Sequence, residues 1–429
     1  MPTETLMMKV SNIDWMGDIP NTWQVKRLKY VMDNYDYLRQ PIDASQRTQD
    51  GDILYDYYGA SGVIDKIDDY ICEGEKILIG EDGANLKMRT LPLIYIASGK
   101  YWVNNHAHIL YPKNDNNLHF FAHQMESIDY ENFITGSAQP KLSQENLNNV
   151  LLIEPPAYEQ KAIADFLDEK CEKIDKVIGK IEEQIQVLED YKKSLITETV
   201  TKGLDKNVPM KDSGIDWIGE IPKEWEIKRI KYFTNLNGRI GWQGLTTEDY
   251  QDEGPYLITG IDFNNGLIDW NSCTHITEKR WIEANTIQIR NGDLLITKDG
   301  TVGKVAVVSG LNDKASLNSG VLLIRPQGNV EYYNRYIYYQ LISDVFWAWF
   351  EFNKSGNSTI IHLYQQDFAN LYTLLPNITE QKQIADYLDK ECEKIDKTIK
   401  NKKEQLETIK EYKKSLIYEY VTGKKRVTC

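Results

Sequence analysis

The sequence predicts an α+β protein that is built twice, with two tandem domains of mixed strand and helix structure, each followed by a long helix. Two repeats and one period carry this prediction. DWMGDIPNTWQVKRLKY at 14–30 returns as DWIGEIPKEWEIKRIKY at 216–232, and EQKAIADFLDEKCEKIDKVI at 159–178 returns as EQKQIADYLDKECEKIDKTI at 380–399. The second repeat also carries apolar residues at steps of three and four, the period of a coiled coil. We therefore expect an internal duplication whose two helices pair with each other.

The length and composition agree with this organisation. At 429 residues the chain is long enough for about two or three domains, and its 41% hydrophobic content is typical of a globular protein. Five cysteines without a C-x-x-C pair disfavour a disulfide framework and a zinc ribbon. The sequence shows no run of ~18–20 apolar residues and no apolar leader, so we expect a cytoplasmic protein.

The charge balance limits the possible partners. The formal net charge is −14, with 50 basic against 64 acidic residues. Because neutralising phosphates takes lysine and arginine, this argues against a protein that binds a polyanion over its whole surface. A local cleft for nucleic acid remains compatible with it.

Four segments are expected along the chain. They are a first mixed domain over 1–158, a helix over 159–203, a linker and second mixed domain over 204–379, and a distal helix over 380–429. In the mixed domains, aliphatic runs bounded by glycine pairs predict strands and turns, as in EGEKILIGEDG at 73–83 and RNGDLLITKDG at 290–300.

The two helices have defined ends and a continuous apolar seam. Gly203 and Gly423 lie where the helices should stop. At about 40 residues, each helix would be ~60 Å long. The predicted seam residues are Leu167, Ile174, Ile178, Ile181, Ile185, Leu188, Leu195, Leu388, Ile395, Ile399, Leu406, Ile409 and Leu416. Lys192, Lys402 and Lys413 also fall on the seam, where they should cost stability but can fix the register or face a partner.

The duplication provides a control for candidate active sites, since a site built into the repeated plan should occur in both copies. Asp216, Glu226 and Lys228 resemble the D…E-x-K pattern of metal-dependent nucleases, but the first copy has Gln24 in place of the glutamate. The string GTVGK at 300–304 has neither the spacing nor the hydroxyl residue of a P-loop. We therefore expect neither a nuclease nor a nucleotide-hydrolysing site.

Zinc binding and methyl transfer fail similar tests. His119 and His123 stand four residues apart and could bind zinc. Arg335 and Tyr339 take their places in the second copy, which favours structural histidines. The N-P-P-Y/F tetrad of amino-methyltransferases has its nearest match in EPPAYE at 154–159, which lacks the asparagine. No catalytic residue and no metal ligand is predicted.

Five motifs occur in a set order along the chain. They are the opening D-W-x-G-x-I-P-x-x-W at 14–23, TGSAQPKLSQENLNNVLLIEPPAYEQ at 135–160, the helix start E-Q-x-x-I-A-D-F/Y-L-D at 159–168, RIGWQGLTTEDY at 239–250 and SGNSTIIHLYQQDFANLYTLLPNITEQ at 355–381, with the opening and the helix start repeated in the second copy. In this order and spacing they resemble the specificity subunit (HsdS) of Type I restriction-modification systems. The resemblance covers essentially the whole chain.

The resemblance implies a function. Each mixed domain would be a target-recognition domain that recognises one half of an asymmetric, bipartite DNA site. The helices would form an antiparallel coiled coil with pseudo-two-fold symmetry, which sets the half-site spacing and recruits two modification subunits. These adenine methyltransferases would carry S-adenosylmethionine, and restriction/translocase subunits would join through them. This chain would bind no cofactor and catalyse no reaction. The half-site centres should lie on the order of one DNA turn, ~34 Å, or slightly more apart.

Residues that contact DNA should be long or amide side chains on the glycine-marked loops. The candidates in the first domain are Tyr58, Ser61, Asn85, Lys87, Arg89, Asn105, Gln139 and Lys141. The candidates in the second domain are Arg239, Trp242, Gln243, Lys298, Lys304, Asn318 and Asn357. On the helices, a wide apolar stripe predicts outward residues that contact modification subunits, namely Ile163, Phe166, Val177, Tyr191, Ile384, Tyr387 and Tyr412.

Two alternatives of other classes remain open. One is a self-contained DNA methyltransferase or nuclease, against which the missing methyl-donor and N-P-P motifs argue. The other is a coiled-coil adaptor with two ligand-binding domains and no role on DNA. The opening motif, with its fixed glycine, Ile-Pro pair and tryptophan, is interpreted as a packed turn between helix and domain.

Overall fold

The computed structural model describes residues 7–13, 15–47, 51, 53–239, 244–328, 330–353 and 362–427. The chain folds into two compact units that do not follow the order of the sequence. Unit 1 comprises residues 1–182 together with 404–429, and unit 2 comprises residues 183–403. Each unit therefore contains one mixed domain and one half of each long helix.

The first mixed domain is rich in short strands. Its strands are β1 (Met8–Val10), β2 (Asp18–Pro20), β3 (Gln24–Arg27), β4 (Met32–Asn34), β5 (Tyr55–Gly59), β6 (Gly62–Ile67), β7 (Cys72–Glu73), β8 (Lys76–Gly80), β9 (Ile94–Ala97), β10 (Lys100–Val103), β11 (Ala107–Pro112) and β12 (Leu151–Glu154). Its helices are α1 (Leu28–Val31), α2 (Asn85–Met88), α3 (Leu118–Glu126) and α4 (Gln144–Asn148), and it leads into the long helix α5 (Ala157–Lys202).

The second mixed domain repeats this order with insertions. Its strands are β13 (Met210–Asp212), β14 (Glu220–Pro222), β15 (Glu226–Arg229), β16 (Thr234–Gly238), β17 (Tyr250–Ile258), β18 (Phe263–Asn264), β19 (Leu267–Ile268), β20 (Thr274–Ile276), β21 (Leu294–Thr297), β22 (Val305–Val307), β23 (Ala315–Leu317), β24 (Val321–Pro326) and β25 (Tyr372–Leu375). Its helices are α6 (Glu278–Glu283), α7 (Asn334–Ile342), α8 (Asp344–Asn353) and α9 (Gln365–Phe368), followed by the long helix α10 (Ile378–Val421). In the part of the chain that the structure describes, no helix is long and apolar enough to cross a bilayer.

One antiparallel sheet recurs in both domains. Its order is β4-β11-β8-β9 in the first domain and β16-β24-β21-β22 in the second. Ile109 faces Leu78 in one sheet, and Leu323 faces Leu295 in the other. The central strands β8 and β21 are buried along nearly their whole length, as their continuous aliphatic sequences require.

A second sheet also recurs. Its order is β6-β5-β10-β7 in the first domain and β20-β17-β23 in the second. In each sheet one pair is parallel, β5 with β10 and β17 with β23. Parallel strands need a crossover connection, and here the connecting segment supplies strands of the first sheet. The predicted duplication therefore extends through the divergent middles of the two domains.

The opening motif is a packed turn in both domains. Its strands β3 and β15 pair with β12 and β25, the last strand before each long helix. Trp23 and Trp225 are 1% and 2% exposed, and their indole N–H groups donate to Glu159 and Glu380, both at 3.1 Å. These bonds attach the start of each domain to the first turn of its helix. The interpretation of the motif as a packed turn is confirmed.

The long helices pair as the predicted antiparallel coiled coil. In unit 1 the first half of α5 packs with the second half of α10, and unit 2 contains the other two halves. The predicted seam residues are all buried or partly buried. Each helix is followed within two residues by a glycine in the left-handed region, Gly203 and Gly423, both with φ of 74°.

Two seam lysines form ion pairs between the helices. In unit 1, Lys413 Nζ lies 2.6 Å from Asp175 Oδ1, and in unit 2, Lys192 Nζ lies 2.7 Å from Asp396 Oδ1. Because Lys413 and Asp396 are the repeat counterparts of Lys192 and Asp175, the same pair is made twice with the partners exchanged. Lys402 donates instead to Gln184 at 2.6 Å. A one-turn slip of either helix would separate these charges, so the pairs favour a single register.

The prediction of outward-facing residues on the two long helices is partly wrong. Ile163 and Ile384 are 4% and 0% exposed, and they lie in the cores of unit 1 and unit 2 respectively. Phe166 is half-buried, and its ring lies 4.5 Å from that of Tyr420. The apolar stripe is wide because the mixed domain of each unit covers part of its helix. The predicted outward residues that are exposed are Val177, Tyr191, Tyr387 and Tyr412.

The two candidate zinc-binding histidines attach the first domain to α5. His119 Nδ1 lies 2.8 Å from Asp168 Oδ2, and His123 Nε2 lies 2.7 Å from Asp168 Oδ1. Burial alone would raise the pKa of Asp168, but the hydrogen bonds and charges of the histidines outweigh it and lower that pKa. Both histidines of α3 therefore contact one carboxylate of α5. Among the described residues, no group of three or more His, Cys, Asp or Glu side chains could hold a metal ion.

The second domain makes the same attachment with different chemistry. Arg335 Nε and the Tyr339 hydroxyl donate to Asp389 Oδ1 at 2.7 and 2.6 Å. Asp389 is the repeat counterpart of Asp168, so in both copies one carboxylate of the long helix binds side chains of the domain that precedes it.

Candidate nucleic-acid interface

Four loops of the first domain meet beside the C-terminal end of β8. They are the turn between β5 and β6, the loop after β8, the loop after β10 and the segment 139–142. The backbone N–H of Glu81 donates to His106 O at 2.8 Å, and the N–H of Leu142 donates to Glu81 O at 2.7 Å. The N–H of Gly83 donates to Pro140 O at 3.1 Å. We call these joined loops the first loop cluster.

Gly80 allows the β5–β6 turn to lie against β8. A Cβ atom on Gly80 would stand 2.6 Å from the carbonyl oxygen of Ala60 in that turn. The N–H of Asn104 donates to Tyr58 O at 3.0 Å and holds the loop after β10 to the same edge. The close approach therefore depends on a residue without a side chain.

A buried carboxylate lies at the centre of the first loop cluster. Glu81 is 8% exposed, forms an ion pair with Arg39 and lies 3.0 Å from Lys141 Nζ. Burial would raise the pKa of Glu81, but hydrogen bonds from Arg39 and Lys141 outweigh it and hold that pKa below its usual value. The Lys141 side chain is 54% exposed, so its ammonium can also meet a phosphate or a base edge.

The first loop cluster brings together Tyr58, Ser61, Asn105, Gln139 and Lys141 of the predicted DNA-contact residues. Ser61, Asn105 and Gln139 are exposed. Tyr58 is half-buried, and its ring stands edge-on to that of Tyr101 with the centroids 5.6 Å apart. Residues predicted from separate loops thus share one surface, although their contact with DNA stays a prediction.

Asn85, Lys87 and Arg89 lie on α2 or at its end. The Asn85 amide donates to Leu91 O at 3.1 Å and accepts from the Leu91 N–H at 2.9 Å. Arg89, with φ of 51°, donates from Nη2 to Glu126 O at 2.5 Å. Asn85 and Arg89 therefore hold their own loop, and a base contact by either would have to replace these bonds. Lys87 is exposed.

An equivalent surface lies beside the C-terminal end of β21 in the second domain. The N–H of Lys298 donates to Gly320 O at 2.8 Å, and the N–H of Leu363 donates to Lys298 O at 2.9 Å. Lys304 Nζ donates to Gly260 O at 3.2 Å. These bonds join the loops after β17, β21 and β23 to the segment before α9, and we call the result the second loop cluster.

Three of the predicted residues, Lys298, Lys304 and Asn318, lie in the second loop cluster. Arg239 is 7% exposed and donates from Nε at 2.7 Å to the carbonyl of Leu317, the residue before Asn318. Its burial lowers the pKa of the guanidinium, and the bond holds it to β23. The predicted residues Trp242, Gln243 and Asn357 lie outside the described residues.

The two loop clusters share a backbone frame. The carbonyls of Glu81 and Lys298 accept the corresponding hydrogen bonds from Leu142 and Leu363. Both carbonyl residues directly follow the central strand of the antiparallel sheet. Glu81 and Lys298 are therefore structural counterparts of opposite charge.

The neighbouring side chains also differ. Lys141 directly precedes Leu142, and His362 directly precedes Leu363, so these two are counterparts as well. His362 Nδ1 lies 2.5 Å from Asp299 Oδ1, whereas Lys141 pairs with Glu81. The same frame thus presents different hydrogen-bond donors and acceptors in the two domains.

The sequence prediction does not include several residues of these clusters. They are Glu81, Asp82, His106, Asp299 and His362, which form side-chain hydrogen bonds or ion pairs within the clusters. The strings EDG at 81–83 and KDG at 298–300, at the same point of both copies, are the signal that points to Glu81, Asp82 and Asp299.

Both halves of the chain match the model of one protein family. The model described as "Type I restriction modification DNA specificity domain" matches residues 20–187 and again residues 222–411. The two matches together cover more than half of the chain and follow its duplication. The chain belongs to this family.

The sequences of individual proteins support the same family assignment. A putative type I restriction enzyme specificity subunit, S.HindORF215P of Haemophilus influenzae, is 25% identical over 395 residues, which cover 90% of this chain and 89% of the relative. The type I restriction enzyme MjaVIII specificity subunit of Methanocaldococcus jannaschii is 24% identical over 319 residues, covering 72% of this chain and 70% of the relative. The resemblance to Type I specificity subunits that the motifs indicated is confirmed.

A solved structure supports the fold. It concerns complex assembly and conformational transition of the type I R-M system, and one of its chains superposes with a TM-score of 0.66 at 15% identity. The match covers 94% of this chain and 98% of that chain. The predicted α+β architecture, with two tandem domains and two long paired helices, is therefore confirmed.

Proposed function

We propose that this Type I specificity chain recognises an asymmetric, bipartite DNA site, with the first and second loop clusters each recognising one half. The observation that carries the proposal is that the two clusters share a backbone frame and differ in charge at Glu81 and Lys298. A common frame lets both domains approach a groove in the same way. Different donors and acceptors select different bases, because base edges are distinguished by their hydrogen-bond patterns.

The acidic net charge is compatible with this function. Only the loop clusters need to meet DNA, and exposed lysines lie in both, at Lys141 and Lys304. Further phosphate contacts would come from partner subunits, since phosphate contacts position a complex without specifying sequence. The coiled coil would set the distance between the half-sites, on the order of one DNA turn, ~34 Å, or slightly more.

The helix pair would recruit two modification subunits. Tyr191 and Tyr412 are repeat counterparts on α5 and α10, and they are 54% and 59% exposed. Exposed aromatic side chains are enriched at protein interfaces, and a pair of them related by the duplication suits two copies of one partner. The modification subunits would carry S-adenosylmethionine and methylate adenine, and restriction/translocase subunits would join through them. The specificity chain itself supplies recognition and assembly, not catalysis.

Mapping of methylated adenines tests this function. The purified chain is mixed with its modification subunit, S-adenosylmethionine and genomic DNA, and the methylated positions are identified. The expected result is a site with two different halves and an unread spacer. A continuous palindromic site, or methylation by the chain alone, would contradict the proposal.

Two substitutions assign the loop clusters to half-sites. Lys141→Ala and Lys298→Ala should each weaken or relax recognition of one half-site only, by about 1–3 kcal/mol for a lost base contact. Lys279→Ala is the control, because this lysine is 82% exposed on α6, outside the loops of the second cluster. It should leave both half-sites unchanged.

A further inference from the structure

In unit 1, a tyrosine fills the space between the end of α10 and the opening motif. The Tyr418 hydroxyl donates to Trp15 O at 2.9 Å and lies 3.4 Å from Met16 O. Lys424 Nζ donates to Met16 O at 2.8 Å and lies 4.6 Å from the centre of the tyrosine ring. A phenol and an ammonium thus close this space from within the chain.

In unit 2, the corresponding space is open. The repeat YKKSLI at 191–196 and 412–417 places Thr197 at the position of Tyr418. After the helix-terminal glycines Gly203 and Gly423, unit 2 has Leu204 where unit 1 has Lys424. A groove of about 480 Å³ results, and its lining includes Trp217 and Ile218, the counterparts of Trp15 and Met16.

Residues of the second domain form part of the wall of this groove. Thr197 Oγ1 accepts from the N–H of Asp344 at 3.0 Å, so the threonine is held at the first residue of α8. Val345 of the same helix lines the groove. Where α8 begins in unit 2, unit 1 has a short 3-10 turn at Glu131–Phe133. The helix that distinguishes the second domain therefore forms part of the groove wall.

We propose that this groove receives an aromatic side chain of the modification subunit that docks on unit 2. The occupant is inferred from unit 1, where the equivalent space holds a phenol hydrogen-bonded to a backbone carbonyl of the opening motif. The partner is inferred from position, because Asp190 and Ser194 of the groove flank the exposed Tyr191 on the same helix. This inference rests on the proposed function. It makes the two docking faces unequal, since one partner copy finds a groove and the other finds it filled.

Filling the groove from within the chain tests the proposal. Thr197→Tyr copies the residue that unit 1 has at this position, and Thr197→Val removes the same hydroxyl but leaves the groove open. Binding of purified modification subunit is measured by titration calorimetry, and the number bound per chain by native mass spectrometry. We expect Thr197→Tyr to weaken one of the two binding events roughly tenfold or more, as the loss of a buried aromatic anchor does, while Thr197→Val stays close to wild type.

Other outcomes separate the claims. Wild-type-like binding of both copies by Thr197→Tyr, or an equal loss in Thr197→Val, would overturn the groove proposal and leave the proposed function standing. Failure of the wild-type chain to bind any modification subunit would overturn both. If Thr197→Tyr does not fold, Ser194→Trp blocks the groove from an exposed lining position and should give the same tenfold loss.

Discussion

Reversing the charge of Lys192 should weaken the helix pair in unit 2. Lys192 Nζ lies 2.7 Å from both carboxylate oxygens of Asp396, and the two side chains are 28% and 53% exposed. A pair exposed to this degree contributes about 0.5–1 kcal/mol after solvent screening. Lys192→Glu removes this attraction and places two carboxylates opposite each other, which adds a repulsion of similar size. The expected loss in the free energy of unfolding is therefore roughly 1–2 kcal/mol.

Urea unfolding followed by far-UV circular dichroism measures this loss. Asp396→Lys should have a similar cost, and Lys192→Glu combined with Asp396→Lys should recover most of the stability, with a coupling energy of about 1 kcal/mol. Lys413→Glu repeats the test in unit 1, where its partner is Asp175. Lys193→Glu is the control, because Lys193 is exposed and lies outside the seam, and it should change stability by less than about 0.5 kcal/mol.

The double variant tests whether Lys192 and Asp396 interact across the seam. If it is no more stable than the sum of the two single changes predicts, the lysine and the aspartate do not interact across the seam. A cost below about 0.5 kcal/mol for Lys192→Glu would likewise refute the idea that these pairs favour one register.

Two further predictions concern unit 1. The pKa values of Asp36, Glu81 and Asp168 are lowered in the folded chain. Their ionised carboxylates therefore stabilise the fold fully above the unfolded carboxyl pKa of about 4, and this contribution is lost as the pH falls through the lower folded pKa values. Thermal unfolding below about pH 4 should show the decline, and Asp168→Asn should reduce it. Gly80→Ala should lower the free energy of unfolding by about 1–3 kcal/mol, because its Cβ would meet Ala60 O at 2.6 Å. Gly179→Ala in α5, where nothing lies within 4 Å of the added Cβ, should raise it by about 0.5–1 kcal/mol. Melting temperatures measure both changes, and equal shifts would contradict the close approach at Gly80.

The helices were predictable because their determinants are local. Apolar spacing and terminal glycines are visible in a single stretch of sequence, and both helices end beside Gly203 and Gly423 as expected. The failure at Ile163 and Ile384 shows the limit. A wide apolar stripe indicates that something covers the helix, but not that the covering surface is the chain's own domain.

The loop clusters were predictable only in part. Glycine pairs marked the turns, and loops carrying Tyr58, Asn105 and Lys141 do meet on one surface. The pairing of Glu81 with Lys141 depends on strand order and register between distant segments, which side-chain alternation does not specify. For the same reason, the sequence does not show that Asn85 is engaged in holding its own loop.

The central claim is that the two domains recognise DNA independently. Replacing residues 232–355 with the corresponding segment of another family member, and then mapping methylated adenines in the presence of the modification subunit, tests this claim most directly. The account predicts that one half-site changes while the other half-site and the spacer length stay the same. A change in both half-sites would contradict it.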